Sequence, residues 1–122
     1  MQLSGLLKSN TLASQQWIYD YVLESVFRAY ILEPRALQLR LLQAKTTVQM
    51  TLVGLEFSLP QLYQFASMEA KNMGAQSYAS FRGCLYRQQT QVILHTLGAE
   101  VVIAQNHKNV NESIYRLQLL TE

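Results

Sequence analysis

Cysteine is nearly absent from this chain. Cys84 is the only one in 122 residues, which excludes an internal disulfide and any multi-cysteine zinc site. A reducing compartment is the expected setting, with the cytoplasm as its default. Histidine is almost as scarce: His95 and His107 fall in different predicted elements with no acidic neighbour at ligand spacing, so no metal and no other cofactor is expected. No stretch reaches the roughly 18 uninterrupted apolar residues of a membrane span, and the opening MQLSGLLKSN has neither the basic start nor the sustained apolar run of an export signal. Neither a membrane nor the secretory route is expected, and the sequon Asn111-Glu112-Ser113 then reads as chance. Glycine-rich phosphate loops, a serine elbow and paired catalytic carboxylates are missing as well. The chain is therefore not expected to be an enzyme.

What is present suits one folded unit. With 49% hydrophobic residues, the chain can bury one core and is too short for two ordinary domains. Residues 1–122 are read as a single α+β domain with a loose lead-in over 1–11. The formal charge of +2 permits contact with a polyanion without demanding it.

A first helix is predicted from about Ser14 to Glu33, where Pro34 disfavours continuation. Its apolar surface is wider than one stripe: Trp17, Ile18, Tyr21, Val22, Val26, Ala29 and Tyr30 form one face, and Leu23, Phe27 and Ile31 extend it. Such a helix is either central to a core or an interface between copies. The following PRALQLRLLQAK reads as helix from its opening proline and strong helix formers, although Leu37, Leu39 and Leu41 also alternate like a strand. In TTVQMTLVGLEFSL the alternation is clearer. Val48, Met50 and Leu52 form one apolar set and Leu55, Phe57 and Leu59 another, with a bulge or turn at Val53-Gly54 absorbing the change of phase.

Ser58 caps a predicted helix whose face carries Leu62, Phe65, Ala66, Ala70 and Met73 before Gly74 ends it. Another helix starts near Ser77, with Tyr78, Phe81, Leu85 and Val92 at helical spacing and a possible split at RQQTQ, residues 87–91. Cys84, beside Leu85 on the apolar side, is expected to be a buried small residue rather than a nucleophile. AEVVIAQ and SIYRLQLL then make a terminal antiparallel hairpin around the tip NHKNVNE.

Two resemblances suggest a function. Residues 54–86 resemble the ribbon-helix-helix family of DNA-binding proteins: LEFSLP is an alternating strand ending in Leu-Pro, Ala70 precedes Gly74 by one turn, and Arg82, Cys84 and Leu85 follow that glycine at the family's spacing. The resemblance implies that Gly54, Glu56 and Ser58 face DNA and that amides near Gln76 and Ser77 hold phosphate. The order of elements over the whole chain resembles a winged helix. That resemblance implies a major-groove helix presenting Gln76, Ser77, Ser80, Arg82 and Arg87, with Lys108 on the wing against phosphate. Both imply a small transcription-regulatory protein on double-stranded DNA, and the broad aromatic surface of the 14–33 helix adds the expectation of a homodimer.

The alternative is a protein-interaction or adaptor module. Trp17, Tyr19, Tyr21, Phe27 and Tyr30 crowd the 14–33 helix, and aromatics with polar ends suit interfaces. Trp17, Tyr21, Phe27 and Tyr30 are the expected dimer contacts.

Overall fold

The computed structural model of the chain describes residues 17–70 and 76–120. Expectations for the lead-in, for residues 14–16, for Met73 and Gly74, and for the Trp17 side chain lie outside what is described. Helix α1, residues 17–32, runs as α-helix over Trp17–Tyr21, as π-helix over Val22–Phe27 and again as α-helix over Arg28–Leu32. Then come α2 (Pro34–Ala44), β1 (Gln49–Met50), β2 (Leu55–Phe57), α3 (Leu59–Glu69), α4 (Tyr78–Tyr86), α5 (Gln88–Thr96), β3 (Ala99–Gln105) and β4 (Ile114–Leu119). The class is α+β, with the strands in one antiparallel sheet of order β1-β2-β4-β3. No helix among the described residues is long and apolar enough to cross a membrane.

The π segment accounts for the breadth of the first apolar surface. Ile18 and Tyr19, Val22 and Leu23, and Val26 and Phe27 are buried as pairs that recur every four residues. An α-helix turns every 3.6 residues, so a four-residue repeat overshoots each turn and the stripe winds away from the core. The wider π turn takes up that overshoot and keeps the pairs on one side. Of the two roles open to this helix, the structure shows the central one. Phe27 is fully buried against Phe57, with ring centroids 5.8 Å apart, so it is a core residue and cannot be the dimer contact expected of it.

Helix α2 settles the ambiguity of its leucines: Leu37 and Leu41, four apart, are buried, while Leu39 and Leu42 face outward. It ends at Lys45 in the left-handed conformation, with φ 55°. Arg40 of α2 grips Glu69 of α3 through two hydrogen bonds, 2.6 Å from Nη2 and 3.1 Å from Nε, and the Tyr21 hydroxyl of α1 donates to the same carboxylate at 2.9 Å. Tyr21 is thereby tied within the chain.

The change of phase in the strand region is a tight hairpin turn. The Thr51 N–H donates to the Gly54 carbonyl at 2.8 Å, and the Thr51 hydroxyl accepts from the Val53 and Gly54 amides at 3.2 Å. Leu52, at the tip, is fully exposed. Beyond the turn, Leu55 and Phe57 point into the core and Glu56 to the opposite face, where it meets Arg116 of β4 at 3.1 Å. Arg116 continues to Gln118, and Gln118 to Glu100 of β3, so a polar row lines that face.

Strand β2 is paired on both edges, with β1 on one side and β4 on the other. Within the chain, LEF pairs with β4 along all three residues and with β1 at Leu55 and Glu56. The three reading residues expected from the ribbon-helix-helix resemblance have other duties: Gly54 is buried, Glu56 is paired, and the Ser58 hydroxyl caps α3 by accepting from the Gln61 amide at 3.4 Å. Gly54 lies so close to β4 that an added Cβ would overlap the Leu117 carbonyl oxygen and sit 2.7 Å from Arg116 Cγ. Because one of those obstacles is backbone, the sheet must open to accept it. Gly54→Ala is expected to lower unfolding free energy by about 1–3 kcal/mol. Urea denaturation checks this, and an unchanged midpoint would contradict the close approach.

Candidate nucleic-acid interface

Helix α4 and the hairpin tip meet through one asparagine. Asn111 Oδ1 accepts from the Tyr78 hydroxyl and, at 3.2 Å, from Nη1 of Arg82. The guanidinium also lies over the Tyr78 ring, 5.6 Å from its centroid. Tyr78 and Arg82 are four apart on α4 and so share one side of it. The tip is therefore held along the flank of α4 that carries Arg82.

Asparagine side chains build the tip itself. Asn106 Oδ1 accepts the Lys108 amide and Asn109 Oδ1 the Asn111 amide, each at 2.8 Å. Such side-chain turns stand in for backbone turns. Buried Ser113 locks the base, accepting from the His107 amide and donating to the Asn109 carbonyl, both at 3.0 Å. Lys108 takes a left-handed backbone, φ 60°, and its side chain is exposed.

Charge on the helical side of this place is of one sign, while the tip carries Glu112 as well as Lys108. From Ala70 to Ala99 the sequence contains no aspartate or glutamate, while Lys71, Arg82 and Arg87 fall within it. Both α4 and α5 belong to that acid-free stretch. Arg82 has five donors, of which Asn111 takes one.

No family model, curated protein or solved structure matches the chain. The site therefore has to be judged on its own chemistry.

Of the six residues that the winged-helix resemblance puts on DNA, the structure brings Arg82 together with the tip that carries Lys108. Arg87 is exposed but lies at the break between α4 and α5, with extended backbone, φ −70° and ψ 143°. Five residues beyond Arg82, it faces well away from that side of the helix. Ser77 and Ser80 are exposed but occupied. The Ser77 hydroxyl caps α4 by accepting the Ser80 amide at 3.1 Å, and the Ser80 hydroxyl accepts from Nε2 of Gln76, also at 3.1 Å. An amide of the first turn is thereby already filled by Ser77 rather than open to phosphate.

Gln76 requires a correction. It is only 3% exposed, so it cannot reach a base edge. Its Oε1 accepts the Tyr19 amide of α1 at 3.0 Å, its Nε2 donates toward Ser80 and, at 3.7 Å, the Cys84 sulfur, and its carbonyl accepts from the Tyr63 hydroxyl of α3. Cys84 is buried beside it, as its apolar neighbours suggested. Burial pushes the Tyr19 hydroxyl up from its ordinary value; it bonds Thr90, whose own hydroxyl donates to the Cys84 carbonyl at 2.9 Å.

Sequence reasoning missed Tyr78 and Asn111 as partners in this site. Tyr78 was assigned to the buried stripe, and only its polar end hinted at a second role. Asn111 lay in a tip already singled out as Asn-rich, where nothing distinguishes a turn-building amide from one aimed at a neighbouring helix.

A buried amide that joins three helices leaves several groups unpaired when removed. Gln76→Leu is expected to cost about 2–3 kcal/mol in unfolding free energy. A change within about 0.5 kcal/mol, typical of a surface position, would contradict this assignment.

Proposed function

We propose that the chain is a small nucleic-acid-binding, transcription-regulatory protein whose contact surface is the flank of α4 bearing Arg82 together with the hairpin tip bearing Lys108. The observation that carries this reading is the Asn111 junction, which ties the tip to Tyr78 and Arg82. A helix from an acid-free stretch, flanked by an ordered hairpin tip that carries Lys108, is the arrangement expected of a winged helix on duplex DNA. Arg82, half held by Asn111 and Tyr78, has donors left for guanine or phosphate. Lys108, on an exposed turn, acts as a point charge against phosphate. The cytoplasm is the setting this reading assumes.

The test is fluorescence anisotropy with labelled duplex DNA at two salt concentrations. Arg82→Ala and Lys108→Ala should each weaken binding and reduce the salt slope by about one. Arg35→Ala, on exposed α2, should leave affinity unchanged. Absence of binding at low salt, or loss equal in all three variants, would overturn the reading.

A second reading, association with another protein chain, is favoured by a different surface. Leu52 is fully exposed and Val53 and Leu119 more than half exposed, and with half-buried Tyr30 and Gln118 they line one shallow depression. Exposed apolar residues gathered in this way mark interaction surfaces. On this reading a homodimer would use this surface rather than Phe27. Leu52→Asp should therefore convert a dimer to a monomer in sedimentation equilibrium at tens of micromolar, on the order of weak dimer affinities. A wild-type monomer at that concentration would remove the homodimer.

A further inference from the structure

An apolar cavity of about 200 Å³ lies between the sheet and the α4–α5 junction. Phe27 and Phe57 form its floor side, Leu85 and Tyr86 come from α4, and Ile103 and Tyr115 from the hairpin strands. No lining residue carries a formal charge. A charged ligand would be desolvated there without a partner, so the occupant must be neutral. Its size is bounded too: apolar cavities of about 150 Å³ accept benzene, so this one takes a single ring with one or two further heavy atoms.

The polar groups at the cavity define one handle. Thr90 is occupied by Tyr19 and the Cys84 carbonyl. Gln91 is occupied by the backbone of Val101, donating to its carbonyl at 2.9 Å and accepting from its amide at 3.3 Å. The hydroxyls of Tyr86 and Tyr115 are 2.5 Å apart, and Tyr115 also lies 3.3 Å from the Val110 carbonyl oxygen. Two arrangements of the protons satisfy these contacts. When Tyr115 donates to Val110, Tyr86 donates to Tyr115 and its oxygen is left as an acceptor. When Tyr115 donates to Tyr86, the Tyr86 proton is left as a donor. A ligand hydroxyl, which both gives and accepts, matches either. Burial and the Tyr86 hydrogen bond push Tyr115 up from its ordinary value, so its proton stays in place at neutral pH.

We propose that this cavity binds a neutral, single-ring or similarly compact apolar compound with one hydroxyl group, its ring between Phe27, Phe57 and Leu85 and its hydroxyl on Tyr86. The site stands apart from the nucleic-acid reading, although it touches both elements of that surface: Tyr86 ends α4, and Tyr115 sits at the foot of the hairpin tip. Occupancy would wedge the two elements at their common base.

Titration of the isotope-labelled full chain with p-cresol, followed by NMR shifts in the absence of DNA, tests the proposal. Saturable shifts of residues around Leu85, Tyr86 and Ile103 are expected. Toluene, lacking the hydroxyl, should bind about tenfold more weakly, the loss of one net hydrogen bond, and the p-toluate anion should not bind. Tyr86→Phe should bring p-cresol to the toluene level while leaving toluene unchanged. Ile103→Trp fills the mouth from a rim position that is 56% exposed, and it should abolish binding of both. Should that variant lose its fold by circular dichroism, Leu85→Phe fills the same space from the helix side. No saturable p-cresol shift, or equal binding in a folded filled variant, would show the cavity to be a packing void and overturn the proposal. Because DNA is absent throughout, that failure is separate from failure of the nucleic-acid surface.

Discussion

The helical layer depends on the placement of one uncharged amide in a nearly water-free position. Gln76 precedes α4, yet its side chain reaches the opening turn of α1 and its carbonyl receives the hydroxyl of Tyr63 on α3. The apolar side chains around it pull the helices together without specifying their mutual rotation, because burial is non-directional. Hydrogen bonds are directional, and a buried one left unmade costs far more than a made one contributes. Rotating or sliding α1 against α4 would strand the amide, the Tyr19 backbone and a hydroxyl together. Gln76 therefore acts on the choice of arrangement more than on the total stability.

Much of the architecture was legible because local signals agreed with the tertiary outcome. Ser58 is a cap in the sequence pattern and a cap in the structure, the helix expected near Ser77 begins there, and AEVVIAQ forms a strand over its full length. The strand-like alternation of Leu37, Leu39 and Leu41 gave way to helix, since burying Leu37 and Leu41 needs only one helical face and Pro34 starts that helix. What could not be read was partnership at a distance. LEF carries no mark that it will be paired on both sides within one chain. Gln76 has the composition of a base reader, and only the chain folding over it makes it a core residue. The breadth of the first helix was visible, whereas its cause, a π turn that matches a four-residue repeat, is a backbone property without a residue signature.

The candidate interface follows the same division. Arg82 and Lys108 were selectable as cations, but their juxtaposition rests on Tyr78 and Asn111, whose side chains are common on any surface. Arg87 failed to join them because the helix breaks at that residue. The break also gives α5 its own direction against β3, and it opens the space that becomes the cavity between Tyr86 and the sheet.

Gln91 has a bearing on how the protein behaves in a crowded solution. Strand β3 is the outer strand on its side of the sheet, and the amide and carbonyl of Val101 point away from β4. The side-chain amide of Gln91 offers those groups the same donor and acceptor pair that a neighbouring strand would present. One residue on a helix thus imitates a missing strand at the middle of β3, while β1 leaves only two residues at the far side. Sheets grow into fibres by adding strands to bare edges. In this chain one edge is already occupied at its centre by a counterfeit partner and the other is too short to serve as a template, so the hydrophobic hairpin can persist as a finite object.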